Sequence, residues 1–250
     1  MTLDSTVRFD TVIFPPRFVG PMTEWANGGV VCGTLAEALG AGPATVRLER
    51  PIPIESELQL EHVAGVVELR AAEGQRLAVA RSAEPLDLAA IGLPPFTGLD
   101  SAAVTVSVVP RDTHPAGGCF VCGPQHPSGL DLQPGPLPDS SCLATTLHVR
   151  QDLALGPDGV VTPPVVWAAM DCPGWYAGCG GQMALLGTMT AQQFAPVRCG
   201  DDLVVQAWSR KREGRKALVG SALWSSTGSL LAVAEAVWIA TPDLTDQGRA

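Results

Sequence analysis

The hydrophobic pattern of this chain contains two ten-residue stretches that are apolar or small almost throughout, and each ends in its only carboxylate. They are "GGVVCGTLAE", Gly28 to Glu37, and "TPPVVWAAMD", Thr162 to Asp171. A helix without a polar face is typical of a buried helix rather than a surface one. We therefore predict two buried helices, of which the first runs from about Gly29 to Leu39 and ends at Gly40.

The second helix has its own start and stop signals. Thr162 suits the N-cap, and Pro163 suits the first helical position, where a missing N–H costs little. Pro173 removes a backbone donor and conflicts with the carbonyl of Ala169. This predicts that the second helix kinks or ends just after Asp171.

Alternating patterns fill much of the remaining chain. The stretches "VVELR", "RLAVARS", "LVVQAWSR" and "LVGSALW" predict hairpin strands. A Glu-Gly turn occurs in each half, at Glu73-Gly74 and at Glu213-Gly214, and we interpret the two turns as equivalent. "PIPIESEL" and "PVRCGDDL" likewise share Pro, a β-branched residue, an acid and Leu at equal spacing.

The ordered series of matches indicates an internal duplication. Each repeat is predicted to hold one strand, one helix and several antiparallel strands, which makes an α+β protein. We place the first repeat at residues 1–100 and the second at 101–250, with a linker within about 84–118. A further strand is predicted from Ala102 to Val109.

Composition and charge narrow the function classes. Of the 250 residues, 46% are hydrophobic and 16% are charged, which is globular composition. The net charge of −9 argues against nucleic-acid binding, although a local basic patch remains compatible with a small anionic ligand. The sequence contains no apolar run of membrane-spanning length and no export signal, so we expect a cytoplasmic protein with reduced thiols and no membrane partner.

These features together resemble the hotdog thioesterase superfamily. "GGVVCGTLAE" is similar to the His-Gly-Gly … Leu-Ala-Glu/Asp pattern of that family, with Gly28 where the family often has His. "CFVCGPQHPSGLDL", Cys119 to Leu132, resembles the segment that leads into the first strand of many such domains. The resemblance implies a double hotdog, in which each of two repeats wraps an antiparallel sheet around a central helix.

The resemblance also implies a site for thioester hydrolysis. Glu37 would be the base, and the backbone N–H of Gly29, with Gly28 beside it, would be the oxyanion donor. Asn27 would contact substrate or cap the helix. In the second repeat Asp171 fits the acid, but Pro163 and Pro164 replace the glycines and offer no N–H. The first repeat is therefore the stronger candidate, while a composite site with Asp171 reaching across remains open.

Other residues are candidates for substrate binding. Trp167, Trp175 and Tyr176 line an acyl channel or pack in the core, and Thr162 lies at the start of the second helix. "SRKREGRK" holds five basic residues that could bind the phosphates of coenzyme A or form a solvated hairpin tip. These five residues are Arg210, Lys211, Arg212, Arg215 and Lys216.

The sequence alone assigns no chemical role to the cysteines. Cys119 and Cys122 form a C-x-x-C that is compatible with zinc or redox chemistry, but only His114 and His126 are near as further ligands. We therefore predict no metal site and interpret the motif as a structural turn. The other five cysteines, Cys172 among them, are interpreted as small core or turn residues.

The sequence thus favours a thioesterase acting on an acyl-CoA or related thioester through water activated by a carboxylate. Coenzyme A enters only as part of the substrate, no other cofactor is predicted, and a homodimer of double hotdogs is compatible with the pattern. The alternative is a non-catalytic module that binds an acyl chain or acyl-CoA in the same pocket. A purely structural scaffold is the third interpretation.

Overall fold

The computed structural model describes residues 8–153 and 156–241. Its longer helices are α1 (Gly28–Leu39) and α3 (Pro163–Cys179), and a short α2 spans Leu99–Ala103. The strands of the first half are β1 (Arg8–Val12), β2 (Ala44–Leu48), β3 (Leu58–Val63), β4 (Val66–Arg70) and β5 (Arg76–Ser82). Those of the second half are β6 (Gly135–Pro136), β7 (Cys142–His148), β8 (Ala184–Gln193), β9 (Asp202–Glu213), β10 (Lys216–Ser225) and β11 (Leu230–Ala240).

All eleven strands form one antiparallel sheet in the order β1-β3-β4-β5-β2-β8-β11-β10-β9-β7-β6. The order β1-β3-β4-β5-β2 of the first half is repeated in reverse by β8-β11-β10-β9-β7 of the second. The halves meet where β2 pairs with β8, and there the hydroxyl groups of Thr45 and Thr190 are hydrogen bonded over 2.8 Å. This arrangement is a double hotdog, and the predicted α+β fold is confirmed.

Helix α1 begins and ends as predicted. Asn27 caps its N-terminus, because the side-chain oxygen accepts a hydrogen bond from the N–H of Val30. Gly40 ends the helix with φ 113°, a backbone conformation that favours glycine.

The prediction from Pro173 allowed the second helix to kink or to end after Asp171, and the structure excludes an end there. The helix continues through Pro173 to Cys179 and ends at Gly180, whose φ of 57° is left-handed. Its residues from Val165 to Tyr176 are all buried, and it packs on β9, β10 and β11. Packing against the sheet on this scale outweighs the loss of one backbone hydrogen bond, since most helical stability in proteins comes from tertiary contacts.

The two long helices pack closely in opposite directions. A Cβ added to Gly29 would lie 2.7 Å from Cα of Ala168, and one added to Gly33 would lie 2.5 Å from Cα of Pro164. Only glycine allows the backbones to approach to this distance. The N-terminus of α1 is thereby held against the middle of α3.

Two predictions about the strands and turns are wrong. Residues 102–109 form no strand, since α2 ends at Ala103 and irregular chain follows. Residues 86–102, in the first part of the region between β5 and β6, cover the outer face of the second half. There the indole N–H of Trp208 donates to the carbonyl of Ile91 over 2.8 Å. The Glu-Gly turns are also not equivalent, because Glu73-Gly74 joins β4 to β5 whereas Glu213-Gly214 joins β9 to β10.

Within the described ranges, no helix has both the length and the apolar character required to span a membrane.

Candidate functional site

A cavity of about 250 Å³ lies where the two halves meet. Its walls come from the start of α1, the middle of α3, one end of β8 and the end of β11. The loop that carries Cys119 and Cys122 completes it. Apolar side chains provide most of this surface, as is usual for a site that binds a small molecule.

Asp171 is the buried acid of this cavity. Only 1% of the residue is exposed to solvent. Its Oδ2 accepts hydrogen bonds from the backbone N–H of Gly29 at 2.9 Å and from the side-chain amide of Asn27 at 3.1 Å. Its Oδ1 is buried and has no hydrogen-bond partner within the described residues. One oxygen therefore fixes the carboxyl group, while the other makes no hydrogen bond to the described residues.

The environment of Asp171 also changes its acidity. Burial raises the pKa of Asp171 to about 7, and the hydrogen bond from Gly29 opposes this rise. A carboxyl group titrating near neutrality in a cleft is typical of a group that exchanges protons with a substrate.

Two hydrogen-bond donors of the cavity are unused. The N–H of Gly28 is the first of α1, and no acceptor for it lies within the described residues, whereas the next two N–H groups are taken by Asp171 and Asn27. The indole N–H of Trp238 is buried and likewise has no partner in the described chain. Both residues line the cavity.

Three cysteines lie in the same wall. The sulfur atoms of Cys119, Cys122 and Cys172 are buried and lie within 4.8 Å of one another. Hydrogen bonds from Cys122 and Cys172 hold the pKa of the Cys119 thiol well below its usual value. The sequence linked the first two through their spacing, but it contained no signal that α3 brings Cys172 to them.

The structure places the two predicted acids differently. Glu37 is exposed near the C-terminal end of α1 and does not line the cavity. It is nine residues from Gly28, or about 14 Å along the helix axis. This position contradicts the expectation that Glu37 and Gly29 face one substrate. The composite arrangement is found instead, because the antiparallel helices bring Asp171 of one half to the N-terminus of α1 of the other.

The N–H of Gly29 also requires a correction. It was expected to be the oxyanion donor, but it is occupied by Asp171, and Gly28 supplies the unused N–H. Asn27 caps α1 and also contacts Asp171. Asn27, Gly28 and Trp175 line the cavity, and their binding of substrate stays a prediction. Trp238 was not predicted, since its strand "LLAVAEAVWIAT" has an ordinary core pattern.

Three other candidates do not line the cavity. Thr162 occupies the N-cap position of α3 but makes no side-chain cap. Trp167 is a core residue. The hydroxyl group of Tyr176 is hydrogen bonded over 2.9 Å to His114 and to Gln133. These residues stabilise the region around the cavity rather than face it.

The basic hairpin between β9 and β10 lies beside one end of the cavity. Lys216 is paired across the strands with Ile239, a lining residue. The backbone carbonyl of Arg215 accepts from the N–H of Ala240, and Arg212 donates to the side chain of Gln182 over 2.7 Å. Arg210 forms an ion pair with Glu235, and Lys211 forms one with Glu213.

The sequence matches no protein-family model and no curated protein. Solved structures with the same fold nevertheless cover almost the whole chain. The TesB protein of Mycobacterium avium subspecies paratuberculosis superposes with a TM-score of 0.60 at 12% identity, over 94% of this chain and 93% of that one. A Lactobacillus plantarum protein described as an oleoyl thioesterase gives 0.58 at 10% identity, over 96% and 98%. A hot dog protein of unknown function from Alicyclobacillus acidocaldarius gives 0.52 at 12% identity, over 97% and 96%.

These similarities confirm the double hotdog fold, to which thioesterases also belong. At identities this low they concern the fold alone, because one fold supports many functions. The function must therefore be argued from the cavity and its residues.

Proposed function

We propose that this protein hydrolyses a thioester of the acyl-CoA type, with Asp171 as the general base. The observation that carries the proposal is a buried carboxylate in the wall of an apolar cavity, whose Oδ1 has no hydrogen-bond partner within the described residues. An unpaired buried carboxylate is costly, so its retention is best explained by a ligand that it contacts.

In the proposed reaction, Oδ1 of Asp171 accepts a proton from a water molecule as the water oxygen attacks the thioester carbonyl carbon. The negative charge that develops on the carbonyl oxygen is stabilised by the N–H of Gly28, at the positive end of α1, and by the indole N–H of Trp238. The tetrahedral intermediate then releases the thiolate, which takes up the proton held by Asp171. The hydrogen bonds from Gly29 and Asn27 to Oδ2 keep the carboxyl group in position throughout.

The surroundings of the cavity support an acyl-CoA substrate. Its apolar walls suit an acyl chain, and Trp175 provides an aromatic surface beside Asp171. The basic hairpin beside Ile239 supplies cations for the phosphates of coenzyme A.

A non-catalytic acyl-binding module is the second candidate. One observation favours this candidate: the N–H of Gly29 donates to Asp171 and is therefore not available to stabilise an oxyanion. The test uses a panel of acyl-CoA substrates from short to long chain. Hydrolysis of each is monitored by the release of free thiol, and binding of each is measured by calorimetry. Turnover above the uncatalysed rate supports the hydrolase. Tight binding without any thiol release would select the binding module.

A further inference from the structure

A cluster of three cysteines lies in the cavity wall, assembled from two distant parts of the chain. Cys119 and Cys122 come from the loop that follows Gly118, and Cys172 follows Asp171 on α3. All three residues line the cavity. The sulfur atoms of Cys119 and Cys172 are 3.9 Å apart.

The spacing of the sulfur atoms fits tetrahedral coordination. A zinc–sulfur bond measures about 2.3 Å, so two thiolates on one tetrahedral Zn²⁺ are separated by about 3.8 Å. The observed 3.9 Å for one pair, and the limit of 4.8 Å for all three, lie near that value. A shared metal requires only small side-chain adjustments.

The loop is shaped to present sulfur atoms. The N–H of Gly123 donates to the carbonyl of Cys119 over 2.8 Å, and a Cβ on Gly123 would lie 2.3 Å from the Cys119 nitrogen. The turn therefore requires glycine after the second cysteine. The backbone N–H groups of Val121 and Cys122 contribute to the lowered pKa of the Cys119 thiol.

Asn27 adds a side-chain donor to the cluster. Its amide nitrogen lies 3.8 Å from the sulfur of Cys119 and 3.9 Å from that of Cys172. Donors of this kind orient metal-bound thiolates and stabilise their negative charge. Within the described residues, by contrast, no hydrogen bond joins a Lys, Arg or His side chain to these sulfurs.

We propose that Cys119, Cys122 and Cys172 bind one Zn²⁺ through three thiolates, with the fourth coordination position directed into the cavity. Binding displaces the thiol protons to solvent, and the cation offsets the negative charge gathered beside Asp171. Three protein ligands with an open position are typical of a zinc site that also contacts water or a ligand. The site goes beyond the proposed hydrolysis and does not depend on it.

The experiment uses the full chain purified without chelator and without an affinity tag that binds metal. Zinc is measured by mass spectrometry per mole of protein. The metal is then removed, and the protein is titrated with Co²⁺ while the sulfur-to-cobalt charge-transfer band and the visible d–d bands are recorded. We expect one equivalent of metal and the spectrum of a tetrahedral site with three thiolates.

Matched variants locate the ligands. Cys119→Ser and Cys172→Ser should lose the bound metal or lower the affinity for it at least 100-fold. Cys179→Ser, on the same helix as Cys172 but outside the cluster, should retain it. Asp171→Asn should also retain the metal. Loss of metal binding and loss of thioester hydrolysis can therefore be measured independently.

The proposal is overturned if the purified protein binds less than a tenth of an equivalent of zinc and shows no charge-transfer band with Co²⁺. It is also overturned if the cluster variants bind as much metal as wild type. If a cluster variant does not fold, the cobalt spectrum of the wild-type chain alone decides.

Discussion

The backbone N–H of Gly29 donates to Oδ2 of Asp171 over 2.9 Å, although the two residues are 142 positions apart in the chain. This single contact joins the first turn of α1 to the middle of α3. It places the acid of one half at the positive end of the helix of the other half. The candidate site therefore belongs to neither half alone.

The first prediction concerns the close approach of the two helices. Gly29→Ala would place a Cβ 2.6 Å from Cβ of Asp171. We expect the free energy of unfolding to fall by about 1 to 3 kcal/mol because of this overlap, and thiol release to fall with it. Urea denaturation gives the first value. Gly118→Ala is the control, since its added Cβ meets nothing within 4 Å; an equal loss in both variants would contradict the account.

The second prediction separates the two tasks of Asn27. Asn27→Ser keeps an N-cap for α1 but is too short to donate to Asp171, while Asn27→Ala loses both functions. We expect the alanine variant to be less stable than the serine variant by about 1 kcal/mol. Both should lose kcat/KM by at least about tenfold, because a hydrogen bond to a charged group is worth about 1.5 to 3 kcal/mol. Full activity in the serine variant would show that the contact with Asp171 is not needed.

The third prediction concerns the indole N–H of Trp238. Trp238→Phe keeps an aromatic ring but removes the unused donor, and kcat should fall about 100-fold if the donor stabilises the oxyanion. Trp224→Phe is the matched control, since the N–H of Trp224 is also buried and has no partner among the described residues, but belongs to the separate core on the outer face. Equal effects on kcat in the two variants would rule out a specific role.

The fourth prediction concerns the basic hairpin. Replacing Arg212, Arg215 and Lys216 together by Gln should raise KM for acyl-CoA about 3- to 10-fold at low salt and leave kcat unchanged, because exposed ion pairs are weak individually. An acyl-pantetheine, which lacks the nucleotide phosphates, should show no change in KM. Arg210→Gln is the control, since Arg210 already pairs with Glu235. A matching rise in KM for the acyl-pantetheine would exclude phosphate binding.

Much of the fold could be predicted from the sequence, because its signals are local. The two apolar stretches specify buried helices, and the alternating stretches specify strands. The end of α3 could not be predicted in this way, because packing against three strands decides whether the helix passes Pro173. The equivalence of the two Glu-Gly turns was predicted wrongly for a related reason. The same dipeptide suits either hairpin of a repeat, so its presence does not identify which two strands it joins.

The site was only partly predictable. The position of Asp171 as the only carboxylate in an apolar helix identified it as a candidate functional residue. The choice between Glu37 and Asp171 depends on the direction in which α1 crosses α3, and this is set by contacts at Gly29 and Gly33 that leave no periodic signal. The meeting of Cys172 with Cys119 is likewise a tertiary event between residues 53 positions apart.

The most direct test compares the two acids in the same assay of thiol release from acyl-CoA. We expect Asp171→Asn to bind substrate and to lower kcat by about 100- to 10,000-fold, since it removes the general base while keeping the shape of the side chain. Glu37→Gln should retain the wild-type rate, because its side chain lies outside the cavity. Full activity in Asp171→Asn, or an equal loss in Glu37→Gln, would contradict the account.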